Sequence, residues 1–451
     1  MRALFLIDGE HYPPVVTTAM RSVEGSLGAK GVAAAFLGGT EKLKEGTDYG
    51  VPLVKAKDPV SAVGKALQEY EIEVVVDLSD EPVVGYRERM RIASLVLAAG
   101  ARYRGSDFDF RPPEYHQVST KPSLAVIGTG KRVGKTAVSG YFARLLSKNG
   151  FAPGVVSMGR GGPPEPEVIR GDEMEVGSRY LLEALEKGAH AASDYYETAA
   201  LSRVVTVGCR RCGGGLAGEP FVSNVLEGGK LANGLSTKVT LFDGSGTAVP
   251  PVAVGGRVLV AGAYQDPEYI SGFFGAYRLL ISDLLLLTMS EEPLAGEEKV
   301  RSIAEAVREV RPDLQVVPVI FRPRPVGEVG GLKVAYLSTA PGAILAKLCK
   351  HLEEEYGCEV VAASGSLSDR RRLDLELEEM RGLGVEAYLT EIKAAAVDVV
   401  TRHGAKEGKP VFYCDNDPVV ATGDVAGEED SLDEALLKLA QKVAGERGGV
   451  R

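Results

Sequence analysis

Ser123-Leu124-Ala125-Val126-Ile127-Gly128-Thr129-Gly130-Lys131-Arg132-Val133-Gly134-Lys135-Thr136 is the stretch on which the fold turns. Its first five residues are apolar or small and read as a buried strand. After Thr136, apolar residues recur at Val138, Tyr141, Phe142, Leu145 and Leu146, the spacing of one helical face. A strand, a Gly-rich loop ending in Gly-Lys-Thr, and a helix form the context of a phosphate-cradling P-loop. Backbone N–H groups of such a loop point at phosphates, and the positive end of the helix dipole adds to them. Lys135 is placed to reach the β- and γ-phosphates of a nucleoside triphosphate, and the Thr136 hydroxyl to ligate Mg²⁺. The expected nucleotide contacts are therefore Gly128, Thr129, Gly130, Val133, Gly134, Lys135, Thr136 and Ala137, with Lys131 and Arg132 as further catalytic cations.

A metal-bound phosphate needs an acid nearby. Val239-Thr240-Leu241-Phe242-Asp243 is an apolar strand ending in Asp, followed by Gly244-Ser245-Gly246. Asp243 thus falls at a strand's carboxyl end, where ligands sit in α/β sheets. The loop Met158–Asp172 carries Arg160 and Arg170 beside Glu165 and Asp172. The arginines suit bidentate phosphate binding, and the two acids are further candidates for the Mg²⁺ shell. Cys209-Arg210-Arg211-Cys212 invites a zinc reading, but a closed zinc site needs four ligands and no second Cys-x-x-Cys exists. A Gly-rich loop that carries two arginines, Arg210 and Arg211, to a phosphate is at least as good a reading. His11, after the first strand, reads as part of a polar turn. No Asn-Lys-x-Asp motif is present, which favours ATP over GTP.

Working outward, β-branched runs alternate with helical periodicity along the whole chain, the signature of α/β units with mostly parallel strands. Strands are expected at Ala3–Ile7, Val32–Leu37 and Glu73–Leu78, with helices at Pro59–Tyr70 and Gly85–Ala99. The Pro-rich stretch 107–122 then reads as a linker. Arg322-Pro323-Arg324-Pro325 reads as a second break. The reading is an N-terminal Rossmann-like α/β domain (1–120), a P-loop ATP-binding doubly wound domain (121–328) and a C-terminal α/β segment (329–451).

The 451 residues suffice for several cores, and 45% hydrophobic with 25% charged residues is an ordinary globular mixture. No apolar run reaches the length of about 18–20 residues that a membrane helix needs. Five cysteines make no disulfide framework in a chain this long, so a cytoplasmic protein is expected. The net charge of −10 argues against nucleic acid as partner. Against that background, residues 121–170 hold eight Lys/Arg and two acids, a basic island that suits a small polyanion. Arg144 and Lys148 are expected on the solvated face of their helix.

The spacing Gly-Thr-x-x-x-Val-Gly-Lys-Thr resembles the loop of dethiobiotin synthetase. The second lysine of some members of that group falls at Gly130, with Lys131 one step away. Taken together, Gly128–Ser139, Gly159–Gly177, Asp194–Gly218, Phe242–Val252 and Leu389–Asp398 resemble the cyclic 2,3-diphosphoglycerate synthetase family. The Gly-Arg-Gly-Gly-Pro-Pro-Glu-Pro-Glu and Cys-Arg-Arg-Cys-Gly-Gly-Gly stretches are the specific part. The resemblance implies an ATP-dependent ligase that joins the two phosphates of 2,3-diphosphoglycerate into an internal phosphoanhydride, releasing ADP and phosphate. A homodimer is expected. The alternatives are a ligase or kinase of the dethiobiotin synthetase type, acting on a carboxylate, and a nucleotide-switch ATPase.

Overall fold

The computed structural model describes residues 1–39, 46–421 and 431–448. The chain divides into two compact units. The first comprises Met1–Glu114, Asp266–Ile281 and Glu305–Leu314, and the second the remainder. The boundary after Glu114 lies inside the stretch expected to be a linker. Within that stretch Asp109–Phe110 is itself a short strand, and His116 bridges to Val252.

The first unit holds one sheet of six strands: β1 (Arg2–Ile7), β2 (Lys30–Phe36), β3 (Leu53–Val54), β4 (Val74–Asp77), β5 (Arg102–Arg104) and β6 (Asp109–Phe110), in the order β3-β2-β1-β4-β5-β6. All its pairings are parallel except β5 with β6. Parallel strands are covered on both faces, which is why β1 and β4 read as unbroken apolar runs. Asp8, fully buried at the end of β1, accepts hydrogen bonds from the amides of Glu10, His11 and Asp80 and contacts His11 Nδ1 at 2.8 Å. His11 is thus fixed in a polar turn, as its sequence context suggests.

The second unit is built on one sheet of thirteen strands. They are β7 (Ser123–Gly128), β8 (Pro153–Gly159), β9 (Glu167–Arg170), β10 (Val205–Cys212), β11 (Val222–Ser223), β12 (Val239–Asp243), β13 (Gly256–Gly262), β14 (Leu284–Thr288), β15 (Gln315–Val326), β16 (Lys333–Leu337), β17 (Glu359–Ser364), β18 (Ala387–Thr390) and β19 (Val411–Val420). The order is β11-β10-β8-β12-β7-β13-β14-β15-β19-β18-β16-β17, with β9 on the outer side of β10. From β10 to β15 the pairing is parallel throughout. β7 is central and buried at all six positions. Its outgoing helix, Lys135–Lys148, packs Val138, Phe142, Leu145 and Leu146 into a core shared with Leu124, Val126, Leu241, Val258 and Leu286.

The expected break at Arg322–Pro325 is absent: β15 runs through it to Val326 and pairs antiparallel with β19, Val319 opposite Val420 and Val326 opposite Tyr413. The two prolines are two apart, so they share one edge of the strand while Arg322 and Arg324 share the other. Past the pairing of Pro318 with Leu287, β19 is the strand partner of β15, and an edge that makes no ladder tolerates proline. The C-terminal segment thereby continues the P-loop sheet. Phe142 is completely buried at the centre of this core. Phe142→Ala is expected to cost about 3–5 kcal/mol, read as a lower denaturant midpoint, and an unchanged midpoint would contradict the packing described.

Candidate active site

The loop between β7 and its helix is held from below by the two strands on one side of it. Thr129 Oγ1 donates to Gln265 Oε1 at 2.5 Å, the same oxygen accepts from the Gly262 amide at 2.9 Å, and the Thr129 amide donates to Val260 O at 3.0 Å. Thr288 Oγ1, at the end of β14, donates to Val133 O at 2.8 Å and Ala261 O at 3.1 Å. Gly134 initiates the helix at φ +82°, and a Cβ there would lie 2.2 Å from the Phe321 ring. Only glycine meets both demands.

Lys135 is the first helical residue. Its ammonium is buried and lies 3.1 Å from Asp243 Oδ1, while Asp243 has no exposed surface. Asp243 Oδ2 and the neighbouring Ser139 Oγ are both buried without a hydrogen bond of ordinary geometry among the described residues, although the Ser139 hydroxyl helps to lower the Asp243 pKa. Burial, opposed by Lys135, pushes the Asp243 carboxyl above its ordinary range. A buried lone pair without a well-placed donor is costly, and a divalent cation would satisfy it. The donor set therefore fits Mg²⁺.

Two guanidinium groups converge on the far side of the loop. Gly246 sits at φ +60°. The position a Cβ would take there is 2.5 Å from Arg160 Nη2 and 3.4 Å from Arg211 Nη2, and Gly246 O lies 3.2 Å from the corresponding position at Gly128. Arg211 donates to Ser245 O at 2.7 Å. Burial and the neighbouring Arg160 together hold Arg211 below its ordinary pKa, the situation an anion between the two would relieve. Arg210 instead holds the loop after β8: its Nε donates to Pro163 O at 2.9 Å, and its amide donates to Asn224 Oδ1 at 2.7 Å. Lys131 and Arg132 are exposed at the loop tip, and Arg132 adopts φ +60°.

The structure does not bring Arg170 and Asp172 to the loop. β9 runs antiparallel to β10, and Arg170 faces Val205, six residues before Arg211, about 20 Å along the strand. Arg170 is gripped there by Asp172 and Glu173, so the roles expected of Arg170 and Asp172 do not fit their positions. Glu165 is exposed on the loop after β8. Cys209 is buried and Cys212 exposed, three residues apart on a strand and hence on opposite faces. Arg144 is not on a solvated face: it pairs with Asp415 and Asp417 of β19.

An acid that was not singled out as a ligand lies closer. Asp194 opens the helix Asp194–Ser202, and its Oδ2 lies 3.8 Å from the Cβ position of Gly159, two residues beyond the partner of Asp243 on β8. Its charge acts on both Asp243 and Arg211. One turn further along the helix, Glu197 is buried with Lys393 Nζ at 3.4 Å. Burial pushes the Glu197 carboxyl up to about 8. The described cavity, about 500 Å³ and lined by Ser290, Ile320, Arg322, Lys347 and His351 among others, contains none of these groups. Its Arg322, Glu291 and Lys347 satisfy one another.

A strand–loop–helix with a buried Lys–Asp pair, an acid with an open lone pair and two converging arginines defines a P-loop nucleotide-binding α/β protein. Sequence models of three domains match in order: the N-terminal domain of cyclic 2,3-diphosphoglycerate synthetase over residues 2–111, its P-loop domain over 123–320 and its C-terminal domain over 325–417. The cyclic 2,3-diphosphoglycerate synthetase of Rubrobacter xylanophilus is 71% identical over 451 residues, covering 100% of both chains. That of Methanothermus fervidus is 44% identical with 96% of each covered, and that of Thermococcus gammatolerans 46% with 98% of each. The chain belongs to the cyclic 2,3-diphosphoglycerate synthetase family. Among solved structures, hydrogenase maturation factor HypB from Archaeoglobus fulgidus aligns at 11% identity, covering 44% of this chain and 81% of that one, with a TM-score of 0.29.

This geometry makes two outcomes expected. Arg160→Ala removes one of the two guanidinium groups beside Gly246, so kcat should fall steeply while ATP, titrated by calorimetry, still binds. Normal turnover would remove Arg160 from the site. The second outcome concerns pH. Glu197 is raised in the folded state, so its contribution to stability is complete below about 4.5 and is lost as pH rises through about 8. Glu197→Gln should flatten the fall in unfolding free energy across that window, measured by denaturation at a series of pH values.

Proposed function

We propose that this protein is an ATP-dependent synthetase that closes the internal phosphoanhydride of 2,3-diphosphoglycerate, releasing ADP and phosphate. The observation that carries the reading is the convergence of Lys135, Arg160 and Arg211 around Gly128 and Gly246, with the buried Asp243 beneath. The substrate brings two phosphates and a carboxylate to an ATP tail, and preorganised cations lower the repulsion between them. A phosphate oxygen of the substrate attacks the γ-phosphorus, and the bond from that phosphorus to the bridging oxygen of ADP breaks. An oxygen of the second substrate phosphate then attacks the phosphorus of the activated one. Inorganic phosphate leaves and the ring closes. The substrate supplies both nucleophiles, so no side-chain nucleophile is required.

In this reading the loop amides and Lys135 cradle the β- and γ-phosphates, and Arg160 and Arg211 take the charge of the transferred group. Arg210 and Asn224 position the loop that bears Arg160. Mg²⁺, held by Thr136 and Asp243, would neutralise charge on the β- and γ-oxygens. Lys131 and Arg132 are available at the loop tip for the incoming polyanion. An ATP-dependent ligase acting on a plain carboxylate would need fewer cations than converge here.

The reading includes a cytoplasmic enzyme that works as a homodimer. No described helix is long and apolar enough to cross a membrane. The short strand β11 ends the sheet order with Phe221 91% and Val222 58% exposed beside it, a surface that a second copy would cover. Phe221→Asp should shift sedimentation from dimer to monomer; a wild-type monomer would end this part of the reading.

The deciding experiment is ³¹P NMR of the protein with Mg-ATP and 2,3-diphosphoglycerate. Phosphoanhydride resonances should appear together with ADP and phosphate. ATP left intact, or consumed equally without the second substrate, would overturn the reading. Lys135→Ala should reduce turnover by about 100-fold or more, and Asp243→Asn should raise the Mg²⁺ concentration needed for half-maximal rate.

A further inference from the structure

The C-terminal segment delivers a cation toward the P-loop half that the proposed chemistry has not yet used. β16 and β18 are adjacent and parallel, and their carboxyl ends carry Ser338-Thr339 and Glu391-Ile392-Lys393. Glu391 is the anchor. Its fully buried carboxylate accepts from Ser338 Oγ at 2.7 Å, Thr339 Oγ1 at 2.7 Å, the Thr339 amide at 3.3 Å and Asn416 Nδ2 at 3.0 Å. Burial opposes its ionisation, yet Lys393 and these donors hold the carboxyl below its ordinary range.

From this anchor the chain turns sharply. Ala394 adopts φ +48°, a conformation that L-residues avoid and that clusters at ligand sites. The turn aims Lys393 at the helix Asp194–Ser202, while Ile392 and Val397 pack with Tyr195, Tyr196 and Ala199 of the same helix. The Lys393 ammonium has three donors, and its described side-chain contact is a loose one, 3.4 Å to Glu197 Oε1. Its side chain keeps 31% of its surface accessible, whereas Glu197 keeps 6%. The carboxylates of Glu197, Glu391 and Asp415 outweigh desolvation and keep Lys393 charged. Glu197, desolvated and surrounded by Asp194, Asp415 and Glu391, is the weaker claimant to that ammonium, since its carboxyl is pushed up to about 8.

The helix between these groups sets a distance. Asp194 Oδ2 lies 3.8 Å from the Cβ position of Gly159, at the carboxyl end of β8, and Glu197 lies against Lys393. Three residues of helix separate them, about 4.5 Å along the axis. Two phosphates on neighbouring carbons of a three-carbon acid span a comparable length.

We propose that Lys393 binds the phosphate of the substrate that is remote from the ATP γ-phosphate, displacing Glu197, so that the C-terminal segment supplies one end of the diphosphate site. This rests on the synthetase reading above. It makes Lys393 a substrate-binding residue and Glu197 the loose contact that the polyanion replaces. It also gives the C-terminal segment a place in ring closure, because fixing the second phosphate brings it within reach of the first.

The test uses the full-length protein and two ligands titrated separately by calorimetry, ATP with Mg²⁺ and 2,3-diphosphoglycerate. Lys393→Met should weaken the diphosphoglycerate ten-fold or more and raise its KM, while ATP affinity stays within two-fold. Lys393→Arg should recover much of the loss. Glu197→Gln should leave diphosphoglycerate binding equal or tighter, because Glu197 only contacts Lys393 loosely at 3.4 Å and gives it up to the phosphate. Undiminished affinity in Lys393→Met would overturn the proposal. So would a Glu197→Gln protein weakened as much as Lys393→Met, since the pair would then be a strut rather than a binding group. If Lys393→Met fails to fold, Lys393→Gln takes its place in the same titration, and undiminished diphosphoglycerate affinity there would overturn the proposal. A wild-type protein that binds no diphosphoglycerate would mark failure of the synthetase reading itself, an outcome distinct from either result in the variants.

Discussion

A lysine ammonium buried against a carboxylate with no exposed surface is an expensive arrangement, and the site is organised around it. Desolvating Lys135 and Asp243 costs more than their contact at 3.1 Å returns unless further polar partners are supplied. Removing one partner of such a pair commonly costs about 3–5 kcal/mol, because a buried charge is left alone. The pair therefore makes sense as a resting state. In the proposed reading a triphosphate and its cation would offer Lys135 an anion and Asp243 a metal, at the Oδ2 that makes no hydrogen bond of ordinary geometry among the described residues. The loop amides, the Gln265 and Thr288 anchors and the glycines at 134 and 246 all keep space for that exchange.

The thirteen-stranded sheet explains how cations from distant parts of the sequence meet. Every strand from β10 to β15 points its carboxyl end the same way, so Arg211, Arg160, Asp243, Lys135 and Gln265 are gathered at one edge despite spanning more than a hundred residues. β19 reverses against β15 and starts a second parallel set, and the Arg144 and Arg324 pairs with Asp415 and Asp417 fasten that junction. Those ion pairs sit mostly out of solvent, where geometry rather than raw Coulomb attraction decides their worth.

Much of this was legible in the residues. Apolar runs with helical spacing between them located the main strands of both sheets, because a doubly covered parallel strand has few polar positions. Gly-Lys-Thr after Ile127 located the loop, and Asp243 at a strand end was found by the same logic. Short polar strands such as β5 and β9 carried no such signal. The Arg-Pro-Arg-Pro stretch misled for a physical reason: proline rules out a ladder donor, but only on the edge it occupies, and sequence does not say which edge is free. Arg170 and Asp172 looked like site residues because they come soon after β8, yet the chain folds back on β10 before reaching them. Gln265, Thr288, Asp194 and Lys393 depend on which strand ends and helix starts become neighbours. Gln265 stands just past the carboxyl end of β13, a position where ligand contacts gather, and that placement was a usable signal. Nothing local marks Lys393 as a companion of Glu197.

The antiparallel join of β15 to β19 has a consequence for how the protein is made. Val319 finds its partner in Val420, a hundred residues later in synthesis. Until then the P-loop half presents β15 as an open edge, the kind of surface that other chains adopt as a template. Contacts this distant in sequence also close slowly. A ribosome therefore releases the nucleotide loop long before the strand that seals its sheet.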